Sequence, residues 1–289
     1  MSGEAAFIDL LRGIARHPAA RNLEDDCAVL PLGGETLILT HDMMAEGTHF
    51  LPGQDMTDVA WKLVAVNLSD LAAKGAEPLG VLLGYSLGED DARFAEGLRE
   101  VCEAFPVPLL GGDTVRGQGP RSFGLTAIGR ATHTPVPDRR GAQPGDAICV
   151  TGTLGAAMLA FEALRDGTGA DSLTYRRPVP LLAEGRALAP VVTAMMDVSD
   201  GLLLDCWRMA LASHATFQLD RAAFPVADPA RLDECVRWGD DYQLLFTAPA
   251  DLALPVAASR IGTVMAQDLA ALWVDNHVLT PESGLGYQH

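Results

Sequence analysis

Aspartates next to apolar runs are the residues whose types and spacing could do chemistry in this chain. Asp26 precedes such a run, Asp42 ends one, and Asp113 follows one through two glycines. Asp197 and Asp200 flank the turn after another. Ligands of open α/β sheets bind at strand ends, and Mg²⁺ takes one or two carboxylates together with substrate phosphates. The set predicts a magnesium and phosphate site, although turns also favour single aspartates for local hydrogen bonds.

Asp70 is predicted to lie on the buried face of a helix over residues 57–74, because it shares a stripe with Leu63 and Val66. An unpaired buried carboxylate costs several kcal/mol. A bound cation would remove that cost. The alternatives are an internal hydrogen bond or an ion pair with Lys74 at i+4.

Two other segments have the composition of anion sites. Gly111 to Thr114 (GGDT) is expected to form a tight turn that lets the backbone approach a ligand. Ser199 is expected to cap the helix that follows it, whose first amides favour anions. The glycine-rich segment 151–155 lacks a lysine and favours a structural turn. His49 is isolated from other histidines, a setting in which structural roles outnumber functional ones.

Several enzyme classes are excluded by missing motifs. Lys62 and Lys74 are the only lysines, and neither follows a glycine, so there is no Walker P-loop. The protein-kinase motifs and the G-x-S-x-G serine are also absent. The five cysteines have no C-x-x-C spacing, which argues against a cysteine-rich zinc site or a disulfide framework.

Composition bounds the remaining classes. The chain has 289 residues, 48% of them hydrophobic, and a formal net charge of −17. That negative charge argues against binding to nucleic acid or anionic lipid. No apolar run reaches about 18 residues, so no membrane segment is predicted. Glu4 and Asp9 stand where a signal peptide would be basic and then apolar. We expect a cytoplasmic protein.

The elements that must position these residues follow an alternating strand and helix pattern. We predict an α/β (α+β) fold with two domains, residues 1–134 and 135–289, joined by the proline- and glycine-rich segment 131–146. The first domain is predicted to have strands at 36–40, 81–87, 107–110 and 122–129, and helices at 57–74 and 91–105. The second is predicted to have strands at 147–150, 191–196 and 242–247, a helix after residue 155, and another at 202–211.

These pieces, in this order, resemble the thiamine-monophosphate kinases of the aminoimidazole-ribonucleotide synthetase superfamily. The matching stretches are EDDCAVL, LTHDMMAEGTHFLP, VNLSDLAAKGAEP, GGDTVRG, RRGAQPGD, TGTLG, MDVSDGLLLD and GDDYQLLF. They extend from about residue 25 to residue 247. The motifs are specific as a set and not one by one.

The resemblance implies an ATP-dependent kinase that converts thiamine monophosphate to thiamine diphosphate with several Mg²⁺ ions. It also implies a homodimer whose N-terminal domains join their sheets. The metal ligands it implies are Asp26, Thr40, His41, Asp42, Asp70, Asp113, Asp197 and Asp200. The ATP contacts it implies are Gly112, Arg139 and Ser199. The thiamine-phosphate contacts it implies are His49, Asp240 and Tyr287.

Four positions depart from the family pattern. Glu24 replaces a usual glycine and His41 a usual threonine, which bears on metal geometry. Asp240 replaces a usual glutamate and Trp238 a small residue, which bears on substrate affinity. The alternatives are another ATP-using synthetase of the superfamily and a non-catalytic nucleotide-binding homologue. A selenophosphate-synthetase-like protein would carry a lysine near its reactive cysteine, and Cys27 has none nearby in sequence.

The chemistry of a phosphate acceptor predicts the role of the aspartates. A phosphate monoester is largely ionised at neutral pH, so it needs no general base. It needs screening from the anionic γ-phosphate and alignment in line with the leaving oxygen. The aspartates are therefore expected to be metal ligands and not proton carriers.

Overall fold

The computed structural model describes residues 3–287, which form two mixed sheets with helices. The first half contains α1 (Gly3–Arg12), β1 (Ala28–Leu32), β2 (Glu35–Ala45), α2 (Met56–Ala73), β3 (Ala76–Ser86), α3 (Asp91–Ala104), β4 (Leu109–Val115) and β5 (Ser122–Ala131). The second half begins with β6 (Ala147–Val150), α4 (Ala156–Arg165), α5 (Leu173–Arg176), α6 (Leu182–Leu188), β7 (Ala194–Asp197) and α7 (Leu202–Ala212). It continues with β8 (Ala215–Leu219), α8 (Leu232–Cys235), β9 (Leu244–Ala248), β10 (Ser259–Ala266), β11 (Leu272–Val274) and β12 (His277–Leu279). The α/β fold class is confirmed.

The first sheet has the order β1-β2-β5-β3-β4, and only β3 and β4 of these neighbours run parallel. One face packs on α2 and α3. The outer face keeps exposed apolar side chains, including Met43, Leu82 and Val115. The register places His41 and Asp113 on this outer face, in the same cross-strand rows as Leu82 and Met43 respectively.

The second sheet has the order β12-β11-β8-β10-β6-β9-β7. Its core packs α7 against β7, β8 and β10. Within residues 3–287, no helix is both long enough and apolar enough to cross a bilayer.

Helix α2 is shared by both halves of the molecule. All of its residues except Trp61 are buried. Its last turn packs Ala72 and Ala73 against Leu188 of α6 and Met195 of β7. Asp55 caps its start by accepting a 3.0 Å hydrogen bond from the Thr57 amide. Since α2 touches both sheets, its polar side chains lie where the two halves meet.

Two local expectations were wrong. Strand β2 does not end at Asp42 but continues to Ala45, paired with β5 throughout. The Gly111–Gly112–Asp113 segment is part of β4 and not a turn; a Cβ at Gly112 would lie 1.9 Å from the Leu83 carbonyl oxygen. The glycine thus serves close strand packing.

Candidate functional site

A cavity of about 1520 Å³ is lined by residues of both halves of the chain. Most of the predicted site residues line it: Asp26, Asp42, His49, Asp70, Arg139, Asp197, Ser199, Asp200, Asp240 and Tyr287. Residues more than 200 positions apart in sequence therefore share one cavity.

Three carboxylates meet in this cavity, and we call Asp26, Asp70 and Asp197 the carboxylate triad. One oxygen of each lies within 4.8 Å of the others. Asp26 precedes β1, Asp70 lies in the last turns of α2, and Asp197 ends β7. The triad is assembled from both halves because α2 passes between them.

Two members of the triad, Asp70 and Asp197, accept hydrogen bonds from neighbouring hydroxyl groups. The Thr40 hydroxyl donates to Asp70, and the Ser69 hydroxyl donates to Asp197 over 2.6 Å. Lys74 does not pair with Asp70. Its ammonium lies 2.6 Å from Asp25 and 2.7 Å from Asp26.

Crowding of like charges changes the acidity of the triad. Burial, reinforced by the charges of Asp42 and Asp197, raises the pKa of Asp70 well above its ordinary value. Burial and the charge of Asp26 raise the pKa of Asp197 to about 8. Burial likewise raises the pKa of Asp42 to about 6. A divalent cation would relieve this repulsion, so the donor set fits Mg²⁺, which prefers carboxylate oxygens.

Asp26 differs from the other two carboxylates. Burial favours its protonated form, but the charges of Arg139 and Lys74 outweigh burial and lower its pKa. The same carboxylates, Asp25 and Asp26, raise the pKa of Lys74 although burial opposes its charge. Asp26 is thus held ionised within the triad.

The turn after β7 is organised by Asp205. Its carboxylate accepts the amides of Ser199 (3.2 Å) and Asp200 (3.1 Å). Arg208 pairs with both Asp200 and Asp205. Gly201, and not Ser199, takes the N-cap position of α7. The expectation that Ser199 caps that helix was therefore wrong, because α7 begins only at Leu202.

Another part of the cavity is built around Lys62. Its ammonium lies 2.8 Å from Asp240 and donates to the His49 carbonyl oxygen over 3.1 Å. Tyr175 donates to the same carbonyl (3.0 Å), and Tyr242 donates to Asp240 (2.8 Å). Burial lowers the pKa of Lys62, while Asp240 opposes that shift. Asp240 adopts a left-handed φ of 64°, a conformation that Asp tolerates better than most residues and that recurs at functional sites.

Four predicted residues do not line the cavity of this chain, and one of them, Thr40, contacts the lining residue Asp70. His41 faces away from α2 and bonds Thr126 over 2.8 Å on the outer sheet face. Gly112 and Asp113 lie on the exposed edge strand β4. Alternation along β2 explains the difference between His41 and its neighbours Thr40 and Asp42, since successive side chains point to opposite faces.

Sequence reasoning missed the two lysines as site residues. Each lysine forms an ion pair with a predicted site residue: Lys62 with Asp240, and Lys74 with Asp26. The sequence did carry a signal for them, because both lysines fall within the predicted helix 57–74, whose other residues are mostly apolar. Lysine is almost never fully buried unless it is paired.

Comparison with known proteins places the chain in a family. The models for AIR synthase related protein match residues 24–131 (N-terminal domain) and 143–273 (C-terminal domain). The thiamine-monophosphate kinase of Caulobacter vibrioides is 37% identical over 97% of this chain and 88% of the relative. The thiamine-monophosphate kinase of Escherichia coli K12 is 36% identical over 89% of this chain and 86% of the relative. The chain belongs to the thiamine-monophosphate kinase family.

Solved structures agree with this family assignment. AaThiL complexed with AMPPCP and TMP superposes with a TM-score of 0.88 at 26% identity, covering 96% of this chain and 95% of that one. Thiamine monophosphate kinase from Aquifex aeolicus superposes with a TM-score of 0.83 at 25% identity, covering 96% of this chain and 99% of that one. As a member of the thiamine-monophosphate kinase family, the chain is a kinase with the two-domain AIR synthase fold.

Proposed function

We propose that this chain transfers the γ-phosphoryl group of ATP to thiamine monophosphate, giving thiamine diphosphate by direct in-line transfer. The observation that carries the proposal is the convergence of Asp26, Asp70 and Asp197 within 4.8 Å in one cavity. Its support from comparison is the match to curated thiamine-monophosphate kinases over most of the chain.

The triad would hold Mg²⁺, and Asp42 and Asp200 line the same cavity. Bound there, Mg²⁺ screens the negative charges of two phosphate groups from each other. Arg139 and Ser199 line the same cavity and are proposed to contact ATP. Arg139 is already held against Asp26 by an ion pair, which fixes its guanidinium next to the triad.

His49, Asp240 and Tyr287 are proposed to contact thiamine monophosphate. The backbone of His49 and the carboxylate of Asp240 are both fixed by Lys62. The acceptor phosphate is ionised at neutral pH, so these residues bind and orient it and none has to remove a proton. Analysis of a chiral γ-phosphate is expected to show inversion at phosphorus, and retention would contradict direct transfer.

A selenophosphate-synthetase-like reaction would require a nucleophilic thiolate, the reactive form of cysteine. Cys27 is buried, and burial together with the charge of Asp70 raises the pKa of its thiol well above the ordinary value. Its local environment keeps the thiol protonated.

ADP release tests the proposed reaction. Purified protein with ATP and Mg²⁺ is expected to release ADP with thiamine monophosphate and to release none with thiamine or with phosphorylated pyrimidines that lack the thiazolium ring. ADP release with formylglycinamidine ribonucleotide would indicate a synthetase instead. Binding of ATP without any ADP release on adding thiamine monophosphate would indicate a non-catalytic homologue.

We also propose that the chain forms a homodimer through the outer face of the first sheet. Met43, Leu82 and Val115 are 58%, 38% and 56% exposed on that sheet, and exposed apolar patches mark interaction surfaces. The same face carries Asp113 and His41. If a partner subunit packed on that face, the predicted metal ligands His41 and Asp113 would lie at the interface, in contact with residues of the partner.

Substitution of Leu82→Glu is expected to convert the dimer to a monomer, because a charge would be buried at the interface. Light scattering after size exclusion measures the mass. Leu269→Glu, at a residue that is fully exposed in a loop of the second half, is the control and is expected to leave the mass unchanged. A wild-type protein that elutes as a monomer would overturn the proposal.

A further inference from the structure

Three aromatic side chains form one wall of the cavity, and we call Phe161, Tyr175 and Trp238 the aromatic wall. The rings of Phe161 and Tyr175 meet edge to face with centroids 5.1 Å apart. The rings of Phe161 and Trp238 are 5.2 Å apart at 34°. All three residues line the cavity. They come from α4, from α5 and from the loop before β9, so the wall is built by separate elements.

Two of these rings already face a cation of the chain. The ammonium of Lys62 lies 3.8 Å from the centre of the Tyr175 ring, and the guanidinium of Arg165 lies 5.5 Å from that of Phe161. Across residues 3–287, no lysine or arginine stacks on Trp238. Trp238 is half-buried and lines the cavity, so its ring is the member of the wall that can receive an external cation.

The position of Trp238 is fixed relative to the proposed phosphate site. The Asp240 amide donates to the Ser199 carbonyl oxygen over 2.8 Å. A Cβ at Gly239 would lie 2.2 Å from that same oxygen, so the backbone beside Trp238 packs directly on the turn after Asp197. The loop that carries Trp238 is therefore anchored to that turn by its backbone and to Lys62 by the carboxylate of Asp240.

We propose that Trp238 is a specificity-determining residue that receives the cationic thiazolium ring of the substrate. The inference rests on the proposed function. Thiazolium is a permanently charged, planar ring, and tryptophan is the side chain whose face attracts a cation most strongly. Phe161 packs against the indole, and Tyr175 packs against Phe161. Asp240, two residues on, fixes the loop through Lys62 and Ser199.

Binding measured without ATP tests the inference. Trp238→Ala is expected to raise the Kd for thiamine monophosphate about tenfold, and Trp238→Phe less, because phenyl rings attract cations more weakly. The Kd for ATP should stay the same in both variants. The indole fluorescence change on adding thiamine monophosphate should disappear in Trp238→Phe. It should persist in two controls: Trp207→Phe, at the other tryptophan that lines the cavity, and Trp273→Phe, on β11 and outside the lining residues.

A neutral analogue separates the charge from the ring. In it, carbon replaces the thiazolium nitrogen of thiamine monophosphate. Trp238→Ala is expected to leave its Kd unchanged. If Trp238→Ala lost the same affinity for both ligands, the assignment to the thiazolium ring would be overturned. An unchanged Kd of this variant for thiamine monophosphate would overturn it as well.

Turnover distinguishes this inference from the proposed reaction. If wild-type protein binds thiamine monophosphate through Trp238 but releases no ADP, the proposed reaction fails and the inference stands. If ADP is released with the same KM for thiamine monophosphate in wild type and Trp238→Ala, the inference fails and the reaction stands.

Discussion

Charge at the cavity is balanced by single side chains of the chain itself. Lys74 is fully buried and contacts both Asp25 and Asp26. Asp25 also pairs with Arg21, and Asp26 with Arg139. These contacts compensate the charges of Asp25 and Asp26. They leave the other two members of the triad, Asp70 and Asp197, without a cationic partner among the described ion pairs, and a metal ion would complete that setting.

Asp70→Asn tests the triad at the residue scale. The raised pKa of Asp70 favours the neutral carboxyl in the metal-free protein, so a neutral amide is expected to leave that protein as stable as wild type or more stable. Turnover should fall by about a hundredfold or more, because even residues that support metal ligands contribute about 10–100-fold. The increase in Tm on adding Mg²⁺ should also be lost.

Thermal unfolding with and without Mg²⁺, together with the ADP assay, measures both effects. Asp251→Asn, an exposed aspartate outside the cavity, is the matched control. Wild-type turnover in Asp70→Asn under saturating Mg²⁺ would remove Asp70 from the mechanism.

At the scale of elements, α2 joins the two halves through close backbone contacts. A Cβ at Gly185 of α6 would lie 1.9 Å from the Ala72 carbonyl oxygen, and one at Gly97 of α3 would lie 2.2 Å from that of Thr57. Helices α6 and α3 therefore approach the backbone of α2 closely at Gly185 and Gly97, where a larger residue would clash. These contacts fix the backbone of α2, the helix that carries Asp70.

Gly185→Ala is expected to destabilise the protein by about 1–3 kcal/mol, the usual cost of overpacking a core. Gly34→Ala is the control, because nothing lies within 4 Å of a Cβ at that position. Urea unfolding measures both variants. Equal midpoints for Gly185→Ala and wild type would show that α6 can shift without cost.

At the scale of the whole molecule, the raised pKa values of Asp197 (about 8) and Asp70 make stability depend on pH. An unfolded aspartate has a pKa of about 3.9. Between these values the folded chain binds protons that the unfolded chain does not, so the free energy of unfolding falls as pH rises. The lowered pKa of Asp26 acts only below about pH 4.

The metal-free protein is therefore expected to melt at a lower temperature at about pH 8 than at about pH 6. Mg²⁺ binds the ionised carboxylates, so it should raise the Tm more at the higher pH. Melting curves in matched buffers with and without MgCl₂ test this. An equal Mg²⁺ effect at both values would show that the triad is ionised throughout.

Sequence patterns predicted which helices and strands exist more accurately than they predicted where each one begins and ends. The buried helix around Asp70 was predictable, because its stripe of apolar residues is regular. The continuation of β2 past Asp42 was not, since it depends on pairing with β5, a contact distant in sequence. The position of Asp70 beside Thr40 depends on the same tertiary packing. The aromatic wall could not be predicted either, because its three rings come from separate segments with no common motif.

Burial of both lysines has a practical consequence for handling the protein. Lys62 is 1% exposed and Lys74 fully enclosed, so amine-reactive dyes and cross-linkers have no access to either ammonium group in the native fold. Unfolding would expose both. Peptide mass mapping after brief labelling would therefore count open molecules directly, with modified Lys74 reporting loss of the junction between the two halves.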